Sequence, residues 1–175
     1  MAVVIAGIGS RETPQEICEE MVLIGAAVAD AGGWVRSGHA EGADYAFEQG
    51  AGRRCLVYLP FAGFNRKLPM LGRSILFTGE STEWADRMVE QFHPNAKGLR
   101  GRAWAFHRRN AAQVLGRKGD RPVDFVVCWT REGRKLGGTA QALRIAEHYE
   151  IPVLNMFFEE YATAEKVMTM LEPKD

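Results

Sequence analysis

Apolar residues fall into short blocks along this chain, and the stretches between them carry helical spacing. The blocks are Val3 to Ala6, Trp34-Val35-Arg36, Cys55 to Leu59, Ser74 to Phe77, Val123 to Trp129 and Pro152 to Met156. Short continuous apolar runs of this kind read as buried strands. Between the first two, Ile17, Met21, Ile24 and Val28 recur at helical spacing from Pro14, and Gly32-Gly33 ends the run. Thr13-Pro14-Gln15-Glu16 predicts its start, with Thr13 as N-cap, proline at the first helical position and a glutamate to close the capping box.

Further helices are expected from about Gly42 to Gly50, Thr82 to Gln91, Leu99 to Leu115, Thr139 to Tyr149 and Tyr161 to Leu171. Val123 to Trp129 reads as the longest strand, and Phe61 to Arg73 as a loop over the sheet edge. Strands this apolar, alternating with helices, predict an α/β fold: a Rossmann-like, doubly wound, mainly parallel sheet with helices on both faces. Right-handed crossovers then bring every strand-to-helix turn to one rim, where ligands bind at the point of reversed winding.

Length allows a single domain over 1–175, with a candidate insertion near 61–97. The chain is 46% hydrophobic and 25% charged, which is ordinary for a globular protein and argues against disorder. It has no apolar run of roughly 20 residues, so no membrane partner is expected. The opening Met1-Ala2-Val3-Val4-Ile5 lacks the basic region of a signal peptide, and a cytoplasmic location is the expectation. Cys18, Cys55 and Cys128 lie in one helical and two strand patterns, without metal-ligand spacing, and read as reduced thiols; neither a metal nor a cofactor is expected. Formal charge is zero but unevenly placed: Lys97, Arg100, Arg102, Arg108, Arg109, Arg117, Lys118 and Arg121 are opposed only by Asp120.

Candidate chemistry concentrates in three glycine turns, each following a predicted strand: Gly7-Ile8-Gly9-Ser10-Arg11, Ser37-Gly38-His39-Ala40-Glu41-Gly42 and Lys135-Leu136-Gly137-Gly138-Thr139. A glycine turn that opens a helix presents backbone N–H groups backed by the positive end of the helix dipole, a combination that holds phosphate. Three of them predict one anion site assembled from distant parts of the chain. Dinucleotide binding of the G-x-G-x-x-G type is disfavoured, because the third glycine would fall on Glu12 and no acid ends strand two. Arg11 is placed for phosphate contact, with a surface pair to Glu12 or Glu16 as its alternative. His39 either caps a helix or faces the ligand, and Asp44 lies in a first helical turn, where any acid is favoured. Adjacent helical residues diverge by about 100°, so Arg108 and Arg109 cannot share one ligand. Trp129 and Thr130 end a strand at the same rim, where Trp129 would stack a base or fill the core, and Thr139 either caps a helix or donates to phosphate.

Gly7-Ile8-Gly9-Ser10-Arg11, Ser37-Gly38-His39-Ala40-Glu41-Gly42-Ala43-Asp44, Arg109-Asn110, Gly137-Gly138-Thr139 and Ile151-Pro152-Val153-Leu154-Asn155, in that order, resemble the SLOG superfamily. Its members include DprA (Smf) DNA-processing proteins, LOG phosphoribohydrolases and YpsA-like proteins. The resemblance implies a Rossmann-like sheet whose glycine turns hold a nucleotide or a nucleic-acid phosphate, and a homodimer or higher homo-oligomer. It also implies roles for Ser37, Gly38, Gly42 and Asp44, which match a DprA motif, and for Arg109, which matches the arginine of LOG enzymes. The LOG glutamate position falls on Ala142, beside Gln141. A carboxylate is what N-glycosidic hydrolysis requires to stabilise its oxocarbenium-like state, so Glu41, Asp44 or Glu132 would have to replace it. Three functions are therefore carried forward: a nucleotide-binding protein that releases a base, a DprA-like single-stranded DNA binder using the basic stretch with Trp104 or Phe106, and a non-catalytic receptor or sponge for a cyclic or ADP-ribose-derived signal.

Overall fold

The computed structural model describes residues 2–70, 72–79 and 82–171. Six strands form one parallel sheet: β1 (Val4–Gly7), β2 (Trp34–Ser37), β3 (Cys55–Leu59), β4 (Ser74–Leu76), β5 (Phe125–Cys128) and β6 (Val153–Asn155). Their order across the sheet is β4-β3-β2-β1-β5-β6. Six α-helices connect or follow them: α1 (Gln15–Asp30), α2 (Ala43–Ala51), α3 (Glu83–Phe92), α4 (Gly101–Leu115), α5 (Ala140–His148) and α6 (Ala164–Leu171). From β1 the chain winds outward to β4, then returns through α3 and α4 to place β5 on the free side of β1. The expected doubly wound α/β architecture is present, and its switch point lies between β1 and β5.

The period-two alternation of the strands explains the two cores. Ile5, Val57, Leu59 and Val127 join Met21, Ile24, Val28, Phe47 and Val167 on one face, under α1, α2 and α6. Ala6, Tyr58, Val126 and Cys128 join Ala85, Ala111, Leu115 and Ile145 on the other, under α3, α4 and α5. Both faces are covered, so the strands read as continuous apolar runs. Each large side chain so buried contributes on the order of 1.5–3 kcal/mol.

Element ends differ from the sequence expectation where local hydrogen bonds intervene. Thr13 does not cap α1: its Oγ1 donates to Ser10 O at 2.6 Å, and Pro14, with ψ of 147°, occupies the N-cap. Val123 is drawn out of β5 because its N–H donates to Val114 O at the end of α4, 2.9 Å away, which leaves the five-residue β3 as the longest strand. Thr139 belongs to a short 3-10 turn, Gly137–Thr139, that leads into α5. The 61–97 segment supplies β4, α3 and a turn at Phe64–Arg66, with residues 71, 80 and 81 outside the described set. Cys55 and Cys128 are buried free thiols and Cys18 is half-buried. No helix among the described residues is long and apolar enough to cross a membrane.

α1 and α2 meet backbone to backbone through glycine. A Cβ on Gly50 would stand 2.0 Å from Val22 O, and one on Gly25 would stand 2.8 Å from Phe47 O. Gly50→Ala would gain about 1 kcal/mol in an isolated helix, but overpacking against a rigid carbonyl costs roughly 1–3 kcal/mol and should win. A lowered melting temperature is the expected result, and an unchanged or raised one would refute the close contact.

Candidate functional site

A cavity of about 830 Å³ lies at the carboxyl ends of β1, β2 and β5. Its walls are the three glycine turns, the inner face of α4 and the start of α5. The first turn leaves β1 along β5, with Ile8 N–H donating to Val127 O at 3.2 Å and Ser10 N–H to Trp129 O at 3.1 Å. Gly9 passes so near α2 and β5 that a Cβ would meet that of Ala43 at 2.7 Å and Trp129 O at 3.0 Å. The second turn is locked onto the first: Ser37 Oγ, fully buried, donates to Gly7 O at 2.7 Å. Gly42, at φ of 81°, leaves no room for a side chain beside Ser10 O, 2.6 Å from its ideal Cβ. The third turn is held from α4, where Asn110 Nδ2 donates to Gly138 O at 2.7 Å. The N–H groups of Gly9, Arg11, Gly137 and Gly138 find no acceptor among the described residues, and all four residues line the cavity.

The floor is a buried charge pair set among donors. Arg109 and Asp44 are 5% and 4% exposed. Arg109 Nη1 donates to Gly38 O and, at 3.4 Å, to Tyr58 O, while Nε donates to Asn110 Oδ1 at 3.1 Å. Its guanidinium carbon lies 5.7 Å and 5.9 Å from the ring centres of Phe64 and Phe106. Gly38 is required here because a Cβ would fall 1.9 Å from Arg109 Nη1 and 2.6 Å from Gln113 Nε2. Burial pushes the Asp44 carboxyl up to about 6, against the opposing pull of the Arg109 charge and of donors from Ala40, Gly38 and Gln113. Burial likewise lowers the Arg109 guanidinium, with Asp44 opposing, yet an arginine stays charged. His107, on the same wall, is driven down to about 4 by burial and by the neighbouring His93. It is therefore neutral at pH 7. Because Gln141 Oε1, 3.3 Å from its Nδ1, can only accept, the proton sits on Nδ1 and Nε2 is an acceptor.

Of the residues singled out from sequence, Gly9, Ser10, Arg11, Glu41, Asp44, Arg109, Asn110, Thr130, Gly137, Gly138 and Thr139 line this cavity, and so does Ala142. Gly7, Ser37, Gly38, His39, Gly42 and Trp129 stand outside its lining. Ser37, Gly38 and Gly42 shape the turns as described. His39 turns away to Glu48, with 2.6 Å between Nδ1 and Oε2. Trp129 packs in the core against Phe157. Arg108 points outward to Asp86, 2.7 Å from Nε to Oδ1, as the divergence of adjacent helical positions requires. Glu132 pairs with Arg134 at 3.0 Å and does not reach the cavity. Thr130 is clasped by Asn155, whose Nδ2 donates to Thr130 Oγ1 at 2.7 Å.

Phe106, offered from sequence as a base-stacking residue, lines the cavity too, and Phe64, His107 and Gln113 join it although the sequence reading did not place them there. Phe106 and Gln113 stand three before and four after Arg109 on one helix, so the spacing that marked Arg109 also marks its face. Phe64 comes from an irregular loop and leaves no such signal.

Comparison with protein-family models and with curated proteins gives no match. Among solved structures, the fold is similar to that of DNA processing protein A from Helicobacter pylori, described by its single-stranded DNA binding mode. The TM-score is 0.54 at 13% identity, over 97% of this chain and 72% of the other. It is also similar to the Moco carrier protein of Chlamydomonas rheinhardtii, with a TM-score of 0.51 at 16% identity, over 98% of this chain and 85% of the other. At these identities the likeness is one of fold.

The Asp44 carboxylate shares the cavity with the amides that an anion would meet. Below a pH of about 6 it is protonated, and the Arg109 charge is then uncompensated, so anion affinity should rise as pH falls. Sulfate, whose own charge is constant over the range, is expected to bind roughly tenfold more tightly at pH 5 than at pH 7.5, the scale of one unit charge at cavity distances. Asp44→Asn should flatten that dependence. A flat profile in the unsubstituted protein would contradict the placement of Asp44.

Proposed function

We propose that this chain is a member of the SLOG superfamily and that its cavity binds a nucleotide by the phosphate. The observation that carries the reading is the meeting of unpaired amides from the first and third glycine turns, beside Arg11, around one cavity with a buried arginine at its floor. Oriented N–H groups and the amino end of α5 favour a single phosphoryl group at low cost, because they are already in place before the anion arrives. Phe64 and Phe106 offer apolar surface to a base on the α4 side.

Binding is the function the geometry supports best, ahead of N-glycosidic hydrolysis. The position of the LOG glutamate is taken by Ala142, which presents only a methyl group to the cavity. Asp44 and Glu41 are the cavity-lining carboxylates left from the candidate set, so a hydrolytic reaction would fall to one of them. A second reading, single-stranded DNA binding, is favoured by the likeness to Helicobacter pylori DNA processing protein A. Arg102, stacked 4.9 Å over Phe61 near the α4 wall, would supply a backbone contact in that case. The receptor reading, for a cyclic or ADP-ribose-derived signal, requires the same cavity without chemistry. In a homodimer, Phe157 and Phe158, each 44% exposed, are the apolar face available for contact, since Phe61 and Phe64 already pack on Phe106.

Titration with nucleoside 5′-monophosphates, with base release followed in the same samples, separates these readings. Arg11 is exposed and its side chain makes no hydrogen bond or ion pair among the described residues, so Arg11→Ala should leave the melting temperature unchanged. It should weaken nucleotide binding about tenfold or more, the scale of one charge-assisted hydrogen bond. Free base would establish hydrolysis, and binding without base release a receptor. Binding confined to oligonucleotides, with a steep salt dependence, would replace the nucleotide reading by the DNA one.

A further inference from the structure

The cavity floor holds hydrogen-bonding groups that the protein itself leaves unused. Gln113 is 2% exposed, and its Nε2 is buried without a partner. A buried donor is normally satisfied, and an orphan in a ligand cavity points to a partner supplied from outside. Beside it, Arg109 commits Nε and Nη1 to oxygen atoms of the protein, while Nη2 makes no hydrogen bond among the described residues. Asp44, on the same floor, is an acceptor with two oxygens: Ala40 N–H reaches it at 3.4 Å, while the Gly38 N–H and the Gln113 amide lie near enough to favour its charged form without closing a hydrogen bond. The missing Cβ of Gly38 is what lets Arg109 and Gln113 enter the same space. Phe64 and Phe106, with ring centres 5.4 Å apart, flank them.

Two donors next to an acceptor, beside aromatic rings, match a planar group with a carbonyl adjacent to a ring N–H. We propose that this floor reads the lactam edge of an oxo-base: Gln113 Nε2 and Arg109 Nη2 donate to the carbonyl oxygen, and Asp44 accepts the ring N–H. The inference rests on the nucleotide reading above. Guanine, hypoxanthine and uracil carry such an edge. Adenine and cytosine carry the reverse, an amino group next to an unprotonated ring nitrogen, which sets donor against donor and acceptor against acceptor. Buried mismatches of that kind cost more than the matched bonds contribute, so the discrimination is larger than a single hydrogen bond would give.

Calorimetric titration at pH 7.5 with GMP, IMP and UMP against AMP and CMP tests it, on the unsubstituted protein and on Gln113→Leu. The oxo-bases are expected to bind at least about tenfold more tightly. Gln113→Leu should cut GMP affinity roughly tenfold and leave AMP within about twofold, while the melting temperature stays level or rises because the orphaned donor is gone. If all five nucleotides bind alike, or Gln113→Leu weakens them all equally, the lactam reading is overturned and the nucleotide site stands. A ribose hydroxyl on the floor would give that result. If none binds, both readings fall. Should Gln113→Leu fail to fold, the comparison of bases on the unsubstituted protein still decides.

Discussion

The rim of the sheet is organised by the backbone of one residue, Ser10. Its N–H donates to Trp129 O where the chain leaves β5, 3.1 Å away. Its carbonyl accepts from Thr13 Oγ1 at 2.6 Å and, at the limit of 3.5 Å, from Ala43 N–H at the head of α2. The two peptide groups that flank one α-carbon thus tie together the segments that follow β1, β2 and β5. Gly42 has to be a glycine for this to happen, since any side chain would strike the same carbonyl. The positions of the free amides on Gly9 and Arg11 are a consequence of this junction, and a change that displaced Ser10 would disturb all three segments at once.

Electrostatics at the site depend on local geometry more than on net charge. Arg11, Arg109 and Arg131 line the cavity, and so do Glu12, Glu41 and Asp44. Glu12 and Arg131 satisfy one another at 2.9 Å. What remains is an exposed arginine and an exposed glutamate, Glu41, a buried arginine whose field is offset by Asp44, and the amides. Such an arrangement suits one phosphoryl group whose oxygens meet fixed N–H dipoles, and it exerts little long-range pull on a polyanion. Arg108 of α4 and Arg100 just before that helix do not alter this: Arg108 is engaged by Asp86, and Arg100 by the carbonyls of Lys97 and Leu99 at 2.6 Å.

Much of the fold was legible because its signals are local. The six apolar blocks became the six strands, and Cys55–Leu59 was placed to the residue. Boundaries moved by one to three residues where a distant partner intervened, as when Val114 O captured Val123. The glycine turns were visible as loci of chemistry, but their division of labour was not. Gly38 looks like a phosphate-binding glycine in sequence, whereas its lack of a side chain serves Arg109 and Gln113. His39 sits in the same turn and faces Glu48, a pairing set by the left-handed backbone at φ of 59° that no spacing rule announces. Phe64 reaches the cavity only because the loop after β3 folds back onto α4, a contact between parts of the chain 42 residues apart (Phe64 to Phe106) that depends wholly on the tertiary fold.

The central claim is that amides from separate turns act on a single anion. Nuclear magnetic resonance titration with a bound nucleotide monophosphate reads those amides one by one. The account predicts that the Gly9, Arg11, Gly137 and Gly138 N–H signals shift together along one binding curve. Shifts confined to one turn, or following unrelated curves, would contradict it.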